Sequence, residues 1–127
     1  MLEHMTIFQT ARSLAEHAAA GQAITARNVA NADTPGYRAQ GLHEFSEVFE
    51  NATRFAMRTT RPGHVGGATS PYTPQAVTTH NGQSPNGNSV QLDREMVRAA
   101  EYRHQHDLAL AVYKSALTTL RTSIQTR

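Results

Sequence analysis

The fold of this chain depends on the stretch Asn28-Val29-Ala30-Asn31-Ala32-Asp33-Thr34-Pro35-Gly36-Tyr37. Proline disfavours the α conformation in the residue before it, so Pro35 ends a helix no later than Thr34. The four residues that end at Tyr37 suit a type II turn, because Gly36 occupies the third position, where φ is positive. Two further side chains can bond nearby backbone groups and close the helix end: Asn31 and Asp33. The stretch therefore predicts a helix that stops in a tight turn.

One long helix is predicted before this turn, from residue 2 to about residue 32. Alanine, the strongest helix former, recurs throughout it. Spacings of four and three residues place a stripe on one face: Ile7, Ala11, Leu14, Ala18, Gly21, Thr25 and Asn28. Because most of these residues are small, the stripe allows close backbone approach and buries little area. Glycine is unfavourable inside a helix, so Gly21 indicates a close helix contact or a kink.

A second long helix is predicted from residue 89 to about residue 125. Asn88 or Ser89 can cap its first turn, and Asp93 and Glu95 suit the positive end of its dipole. Spacings of four and three define a heptad stripe: Leu92, Met96, Ala99, Arg103, His106, Leu110, Tyr113, Leu117, Leu120 and Ile124. A second apolar face is formed by Ala109, Val112 and Ala116. The small stripe of the first helix cannot cover both faces, so we expect contacts with other molecules.

The middle of the chain differs in composition from its ends. An amphipathic segment, predicted as a short helix or an irregular docked stretch, has apolar residues at helical spacing: Leu42, Phe45, Val48, Phe49 and Phe55. Residues 58–88 contain four of the five prolines and many Gly, Thr, Ser and Asn residues. Such a composition buries too little apolar surface to offset its ordering entropy, so a flexible connection is predicted. An Asn-Gly pair favours a short hairpin near Gln75 to Asn81.

These elements predict a mostly α fold in one structural unit. The two terminal helices form a coiled-coil-like antiparallel pair or bundle, and the segment between them is irregular and partly disordered. The predicted divisions are an N-terminal helix with its turn, a short amphipathic segment, a flexible connection and a C-terminal heptad helix: residues 1–37, 38–57, 58–88 and 89–127.

Composition excludes several functional classes. The chain of 127 residues has no cysteine, which excludes disulfides, cysteine metal sites and thiol catalysis. Its net charge is only +2, and acidic neighbours offset the arginines of the second helix, so a nucleic-acid role is not favoured. No apolar run approaches the ~18 residues that span a bilayer. No cleavable signal peptide is visible at the N-terminus.

The titratable residues do not indicate an enzyme. His104 and His106 are two residues apart on a helix, so they do not form the i, i+4 pair of a zinc helix. The remaining histidines are scattered and are interpreted as solvated or packed: His4, His17, His43, His64 and His80. Glu47 and Glu50 share one face of a short helix, which does not build the cleft that a glycosidase needs. We therefore predict no catalytic residue, no metal ligand and no cofactor.

Two segments of the sequence resemble a known family. Residues 28–37 are similar to the N-terminal motif of the bacterial flagellar axial proteins, which form the rod, the hook and the hook-associated parts. Residues 87–96 resemble the start of the C-terminal helix in one branch of that family, the proximal rod subunits of FlgB type. The turn motif falls on Asn28, Asn31, Asp33, Thr34, Pro35, Gly36 and Tyr37. The helix start falls on Asn88, Val90, Leu92, Asp93, Glu95 and Met96.

The resemblance implies a structural subunit of the flagellar basal body, without enzymatic activity. Subunits of this family are exported unprocessed by the flagellar type III apparatus and polymerise through their terminal helices into the rod within the periplasm. The implied partners are other copies, other rod subunits, and components of the membrane ring and export gate, without nucleic acid or small-molecule substrate. The candidate assembly seams are Ile7, Ala11, Leu14, Ala18, Leu110, Tyr113, Leu117, Leu120 and Ile124.

Two alternatives stay open at the level of sequence. The asparagines of the turn motif could bond backbone groups of a neighbouring subunit, or they could act as local caps of their own helix. The chain could also be a small helical adaptor or regulatory binding module outside the flagellar rod.

Overall fold

The computed structural model describes residues 2–54, 72–79, 82 and 84–125. Its elements are α1 (Leu2–Ala30), β1 (Gln40–Gly41), α2 (Phe45–Arg54), β2 (Val77–Thr78) and α3 (Leu92–Gln125). The two long helices pack side by side and run antiparallel. Near the end of α1, Asn28 meets Glu95 of α3, while near its start Phe8 packs on Tyr113 with ring centroids 5.2 Å apart. The predicted mostly α fold with a terminal helix pair is confirmed.

The turn after α1 has the predicted geometry. The amide of Tyr37 donates to the carbonyl of Thr34 at 3.3 Å, which closes a four-residue turn. Gly36, at the third position, has a φ of 73°. Such a positive φ favours glycine, so the Pro-Gly pair defines the turn as the sequence indicated. Asn31 acts as a local cap, because its Nδ2 donates to the carbonyl of Arg27 at 2.8 Å.

The α1 face that packs on α3 follows the predicted stripe of small residues. Ala11, Ala18 and Thr25 are buried, and α1 remains helical through Gly21. A Cβ at Gly21 would lie 2.6 Å from Cζ of Tyr102, which no real side chain tolerates. Gly21 therefore marks a close contact with an aromatic ring of α3 and not a kink.

The packed face of α3 differs from the predicted heptad stripe. Glu95 and Ala109 are its buried residues, whereas six predicted stripe members are exposed: Leu92, Met96, Arg103, Leu110, Tyr113 and Ile124. Each residue of the packed face comes one position earlier in the sequence than a residue of the predicted stripe. The packed face carries polar side chains such as Tyr102 and Gln105, which are half-buried. A hydrophobic pattern could not identify this face because hydrogen bonds and one aromatic ring, as well as apolar side chains, fill it.

The short elements attach the middle of the chain to the helix pair. Strands β1 and β2 are antiparallel, with Gln40 opposite Thr78 and Gly41 opposite Val77. The strand at 77–78 thus pairs with β1 across the sequence, and the turn of the hairpin predicted near Gln75 to Asn81 lies outside the described residues. The carbonyl of Ala39 accepts bonds from both N and Oγ1 of Thr79 and so anchors this strand.

The amphipathic segment forms α2, as predicted, with Phe45 and Phe49 stacked at 5.3 Å. Phe55 and the connection at residues 58–71 lie outside the described residues. No helix among those described is both long and apolar enough to cross a membrane.

Candidate functional site

The turn after α1 and the segment before α3 meet in space. Gly36 N donates to Asn86 O at 3.0 Å, and Ser89 N donates to Tyr37 O at 3.1 Å. The two backbones are in contact, since a Cβ at Gly87 would lie 3.4 Å from Cα of Gly36. The two family-like segments of the sequence therefore form one joint. We call this joint the interlock, and it comprises residues 28–41 and 84–98.

Asn88 closes the turn from the opposite side of the interlock. Its buried side chain donates through Nδ2 to three backbone carbonyls, those of Asn31 at 2.9 Å, Ala32 at 2.7 Å and Thr34 at 2.9 Å. Its Oδ1 accepts from Val90 N at 2.7 Å. One distant amide thus adds hydrogen bonds to carbonyls at and beyond the helix end, where helical partners are lacking. Two of these carbonyls, those of Asn31 and Thr34, also accept from amides within the turn.

The predicted helix cap at Asn88 or Ser89 is wrong. The helix α3 begins at Leu92, and both side chains bond across the interlock instead. Ser89 is buried, and its Oγ accepts from Ala39 N at 2.9 Å. Residue type and a nearby helix favour a cap in sequence, but long-range partners override that local preference here.

Asn28 is completely buried and joins three elements. Its Nδ2 donates to the carbonyl of Gln40 at 2.7 Å and to Oε2 of Glu95 at 3.0 Å. Its Oδ1 accepts from Gln40 N at 3.1 Å and from the Tyr37 hydroxyl at 3.2 Å. These four bonds use both hydrogens and both lone pairs of the amide. Asn28 is therefore a connector within the chain and not a local cap, and it keeps no donor for a neighbouring subunit.

Glu95 is the buried acidic residue of the interlock. Its side chain has no exposed surface, and its two oxygens have different partners, Nδ2 of Asn28 at 3.0 Å and a guanidinium nitrogen of Arg98 at 3.0 Å. A buried carboxylate is tolerated only when it is paired and hydrogen-bonded. In the same joint, Oε1 of Gln40 is buried and has no hydrogen-bond partner among the described residues. The pairing of Glu95 makes the joint specific for one arrangement of α1 against α3.

A second buried contact lies farther along α1, between His17 and Tyr72. Both residues are 3% exposed, and the Tyr72 hydroxyl is hydrogen-bonded to Nδ1 of His17. From the sequence, His17 was interpreted as a solvated or packed histidine, and no role was predicted for Tyr72. A signal was present, because Tyr72 is the one aromatic Phe, Trp or Tyr residue within residues 58–88.

The remaining predicted residues lie on exposed or half-buried surfaces. Among the turn-motif and helix-start residues, the exposed ones are Asp33, Thr34, Pro35, Gly36, Leu92, Asp93 and Met96. Of the seam residues, Ala11 and Ala18 are buried between the helices, and Leu14, Leu117 and Leu120 are half-buried. The exposed seam residues are Ile7, Leu110, Tyr113 and Ile124.

Two apolar grooves flank the helix pair at the end remote from the interlock. One, of about 500 Å³, is lined mainly by Phe8, Arg12, Leu110 and Tyr113. The other, of about 310 Å³, is lined mainly by Ile7, Leu14, Leu108 and Val112. They lie on opposite sides of the contact between Ala11 and Ala109, which line both. Several predicted seam residues therefore border open apolar surface.

The side chains of Asn28, Asn88 and Glu95 bond other parts of the interlock, and among the described residues no three His, Asp or Glu side chains are grouped to hold a metal ion. A buried joint between two long helices with open apolar grooves defines a structural subunit of a helical assembly.

Comparison with known proteins identifies the family. The family model described as "Flagella basal body rod protein" matches residues 8–38, which contain most of α1 and the turn. The flagellar basal body rod protein FlgB of Agrobacterium fabrum is 30% identical over 119 residues, covering 90% of this chain and 89% of the relative. FlgB of Salmonella typhimurium is 30% identical over 113 residues, and FlgB of Escherichia coli is 27% identical over 113 residues, each covering 82% of both chains.

The chain belongs to the FlgB family of flagellar basal body rod proteins. It is accordingly a structural protein of the flagellar basal body. This membership does not favour the alternative of an adaptor or regulatory module outside the rod.

Proposed function

We propose that this protein is exported by the flagellar type III apparatus and polymerises through α1 and α3 into the proximal rod within the periplasm. The observation that carries the proposal is a helix pair closed at one end by the interlock and bordered at the other by two open apolar grooves. At one end Asn28, Asn88 and Glu95 are hydrogen-bonded within the molecule, and the other end offers its apolar grooves to neighbours.

The exposed apolar surface supports contacts between molecules. Large hydrophobic side chains are exposed on α3 at Leu92, Met96, Val97, Leu108, Leu110, Val112, Tyr113 and Ile124. Met96 is 63% exposed and Ile124 is 74% exposed. Exposed apolar side chains in this number favour an interaction surface, and burial of apolar area is worth about 25 cal/mol per Å². Neighbouring subunits would supply that burial, so assembly would stabilise each subunit by mass action.

The proposed neighbours are other copies of this chain and other rod subunits, together with the membrane ring and the export gate at the base of the rod. The candidate seam residues Ile7, Leu14, Leu110 and Tyr113 line the grooves and would contact these neighbours. Ala11 and Ala18 would contribute indirectly, because they set the close spacing of the two helices within the subunit.

The test replaces Leu110 by aspartate in the chromosomal gene. A charge in the groove opposes burial against a neighbour, so we expect loss of rod incorporation and swimming, while the variant is still secreted and its circular dichroism spectrum is unchanged. The control is Ala111→Asp, which places the same charge on the next, exposed residue of α3 and should leave swimming intact. Normal swimming of the Leu110→Asp strain would contradict the proposed seam. Secretion that persists without the export gate would contradict the proposed route.

A further inference from the structure

His17 is buried among aromatic side chains. Its ring lies 5.6 Å from the ring of Phe45 on α2, 5.6 Å from that of Tyr72 and 6.0 Å from that of Tyr102 on α3. Its described polar contact is the Tyr72 hydroxyl, 55 residues away in sequence. No carboxylate stands among the described contacts of the ring. The histidine thus joins α1 to three other parts of the chain through aromatic surfaces and one phenol.

The contact holds one segment of the chain, residues 72–79, on the helix pair. Tyr72 is buried against His17 at the start of this segment, and Thr79 bonds the Ala39 carbonyl at its end. Between them only the two-residue strand β2 pairs with β1. Its residues from Gln75 to Thr78 are exposed. Few contacts therefore hold this segment on the helix pair, and the contact between His17 and Tyr72 is one of them.

We propose that His17 and Tyr72 form a proton-sensitive latch, which holds residues 72–79 on the helix pair and releases them when His17 takes up a proton. The bonds that Asn88 and Ser89 make across the interlock persist during this release, because no titratable side chain takes part in them. The ligand that operates the latch is the proton itself. This inference concerns the segment between α2 and α3 and does not depend on how the subunits pack in the rod.

The physical basis is the burial of a charge. Burial lowers the pKa of the His17 imidazole from its ordinary value of 6.5. Burial, with a smaller contribution from Tyr102, raises the pKa of Tyr72 to about 12, so the phenol keeps its proton at physiological pH. A neutral imidazole can accept the phenol hydrogen at Nδ1, whereas an imidazolium must donate there and turn the hydroxyl around. The aromatic faces offset only part of the cost of desolvating that cation.

The titratable groups that face the His17 ring belong to residues 72–79 and to α3. Tyr72 belongs to the segment itself and Tyr102 to α3, while α2 presents the uncharged Phe45. Three charged side chains act on Tyr102: Arg98, Glu44 and Glu95. The lowered pKa of His17 fixes the direction of the pH dependence. Stability from the latch is present above the unfolded value of 6.5 and is lost as pH falls through the lower value of the folded protein.

Two measurements on the full chain test the latch between about pH 7.5 and about pH 5, a range that spans ordinary histidine titration. A two-dimensional NMR titration of the imidazole signals gives the pKa of His17 directly. Amide hydrogen exchange, corrected for the intrinsic pH dependence, follows Thr79 N in the latch segment and Ser89 N in the interlock. We expect His17 to titrate below 6.5, Thr79 protection to fall by about tenfold or more with its protonation, and Ser89 protection to persist.

Variants separate the latch from general acid destabilisation. His17→Gln keeps a polar side chain of similar size but removes the titrating nitrogen. The protection of the Thr79 amide should then become independent of pH across this range. His43→Gln, on an exposed histidine, is the matched control and should keep the wild-type response. A His17 pKa at or above 6.5 would overturn the proposal, and so would equal loss of protection at Thr79 and Ser89. Because the titration is performed on the wild-type protein, the result does not depend on the folding of the variants.

Discussion

Two asparagines join the ends of this chain at the scale of single residues. Asn28 uses all four hydrogen-bonding positions of its amide on β1, the turn and α3. Asn88 serves three carbonyls of the turn after α1. Neither role is visible in the local sequence, where both residue types indicate caps and turns. The resemblance identified the residues, and the fold showed that they act on each other's segments.

Replacing Asn88 by alanine removes the donor for these three carbonyls. The loss of hydrogen bonds at this partly buried site carries a desolvation penalty, so we expect the free energy of unfolding to fall by about 1–3 kcal/mol. Asn88→Asp keeps an oxygen for Val90 N but supplies no donor, and it should be at least as destabilising. Urea unfolding followed by circular dichroism measures both changes. The control is Ser84→Ala, at an exposed position in the same loop, which should stay within about 0.5 kcal/mol of wild type. Equal midpoints for Asn88→Ala and Ser84→Ala would refute this role of Asn88.

At the scale of elements, the two helices differed in how well their sequences predicted them. The α1 stripe was predicted well because small residues at a regular spacing leave one possible contact face. The α3 face was missed because Glu95 and Tyr102 fill it, and their partners Asn28 and Gly21 lie about 70 to 80 residues earlier in the chain. The pairing of β1 with β2 was missed for the same reason, since a two-residue strand has no periodic signal of its own.

The substitution Gly21→Ala tests the packing of the two helices through the sign of its effect on the free energy of unfolding. Alanine in place of glycine inside a helix normally stabilises by about 1 kcal/mol. Here the new methyl group would collide with the Tyr102 ring, so we expect Gly21→Ala to lower the free energy of unfolding by about 1–3 kcal/mol. In a Tyr102→Ala background the collision is absent, and Gly21→Ala should be stabilising. A double-mutant cycle by urea unfolding measures this coupling, and additive effects would show that the ring does not limit the helix spacing.

At the scale of the whole molecule, tight packing is concentrated toward the interlock. Buried side chains in that half include Ala18, Thr25, Asn28, Asn88 and Glu95. Toward the other end the described buried residues are Ala11, Ser13 and Ala109, and the two grooves open beside them. Order in the isolated subunit should therefore decrease along the helix pair. The proposed contacts with neighbours would occur where the subunit is least complete.

Amide hydrogen exchange of the isolated protein tests this gradient. Opening free energies depend on local buried contacts, so amides of residues 18–28 and 92–105 should exchange more slowly than those of residues 6–12 and 110–122. The grooved end of each helix serves as the internal comparison for the interlock end of the same helix. Uniform protection along both helices, with a single sharp thermal transition, would show instead that the isolated subunit is already complete.

The bonds from Asn88 to the turn have a consequence for the order in which the molecule folds. They span 54 to 57 residues of sequence, and the bond from Asn28 to Glu95 spans 67. A chain made or threaded with its N-terminus first therefore cannot finish the end of α1 until more than two thirds of its length has emerged. Contacts of such high sequence separation also slow folding, because a long loop must close before any of them forms. The end of α1 therefore reaches its native contacts only when the segment before α3 and the start of α3 are available. Completion of the native state is delayed relative to synthesis of the first helix.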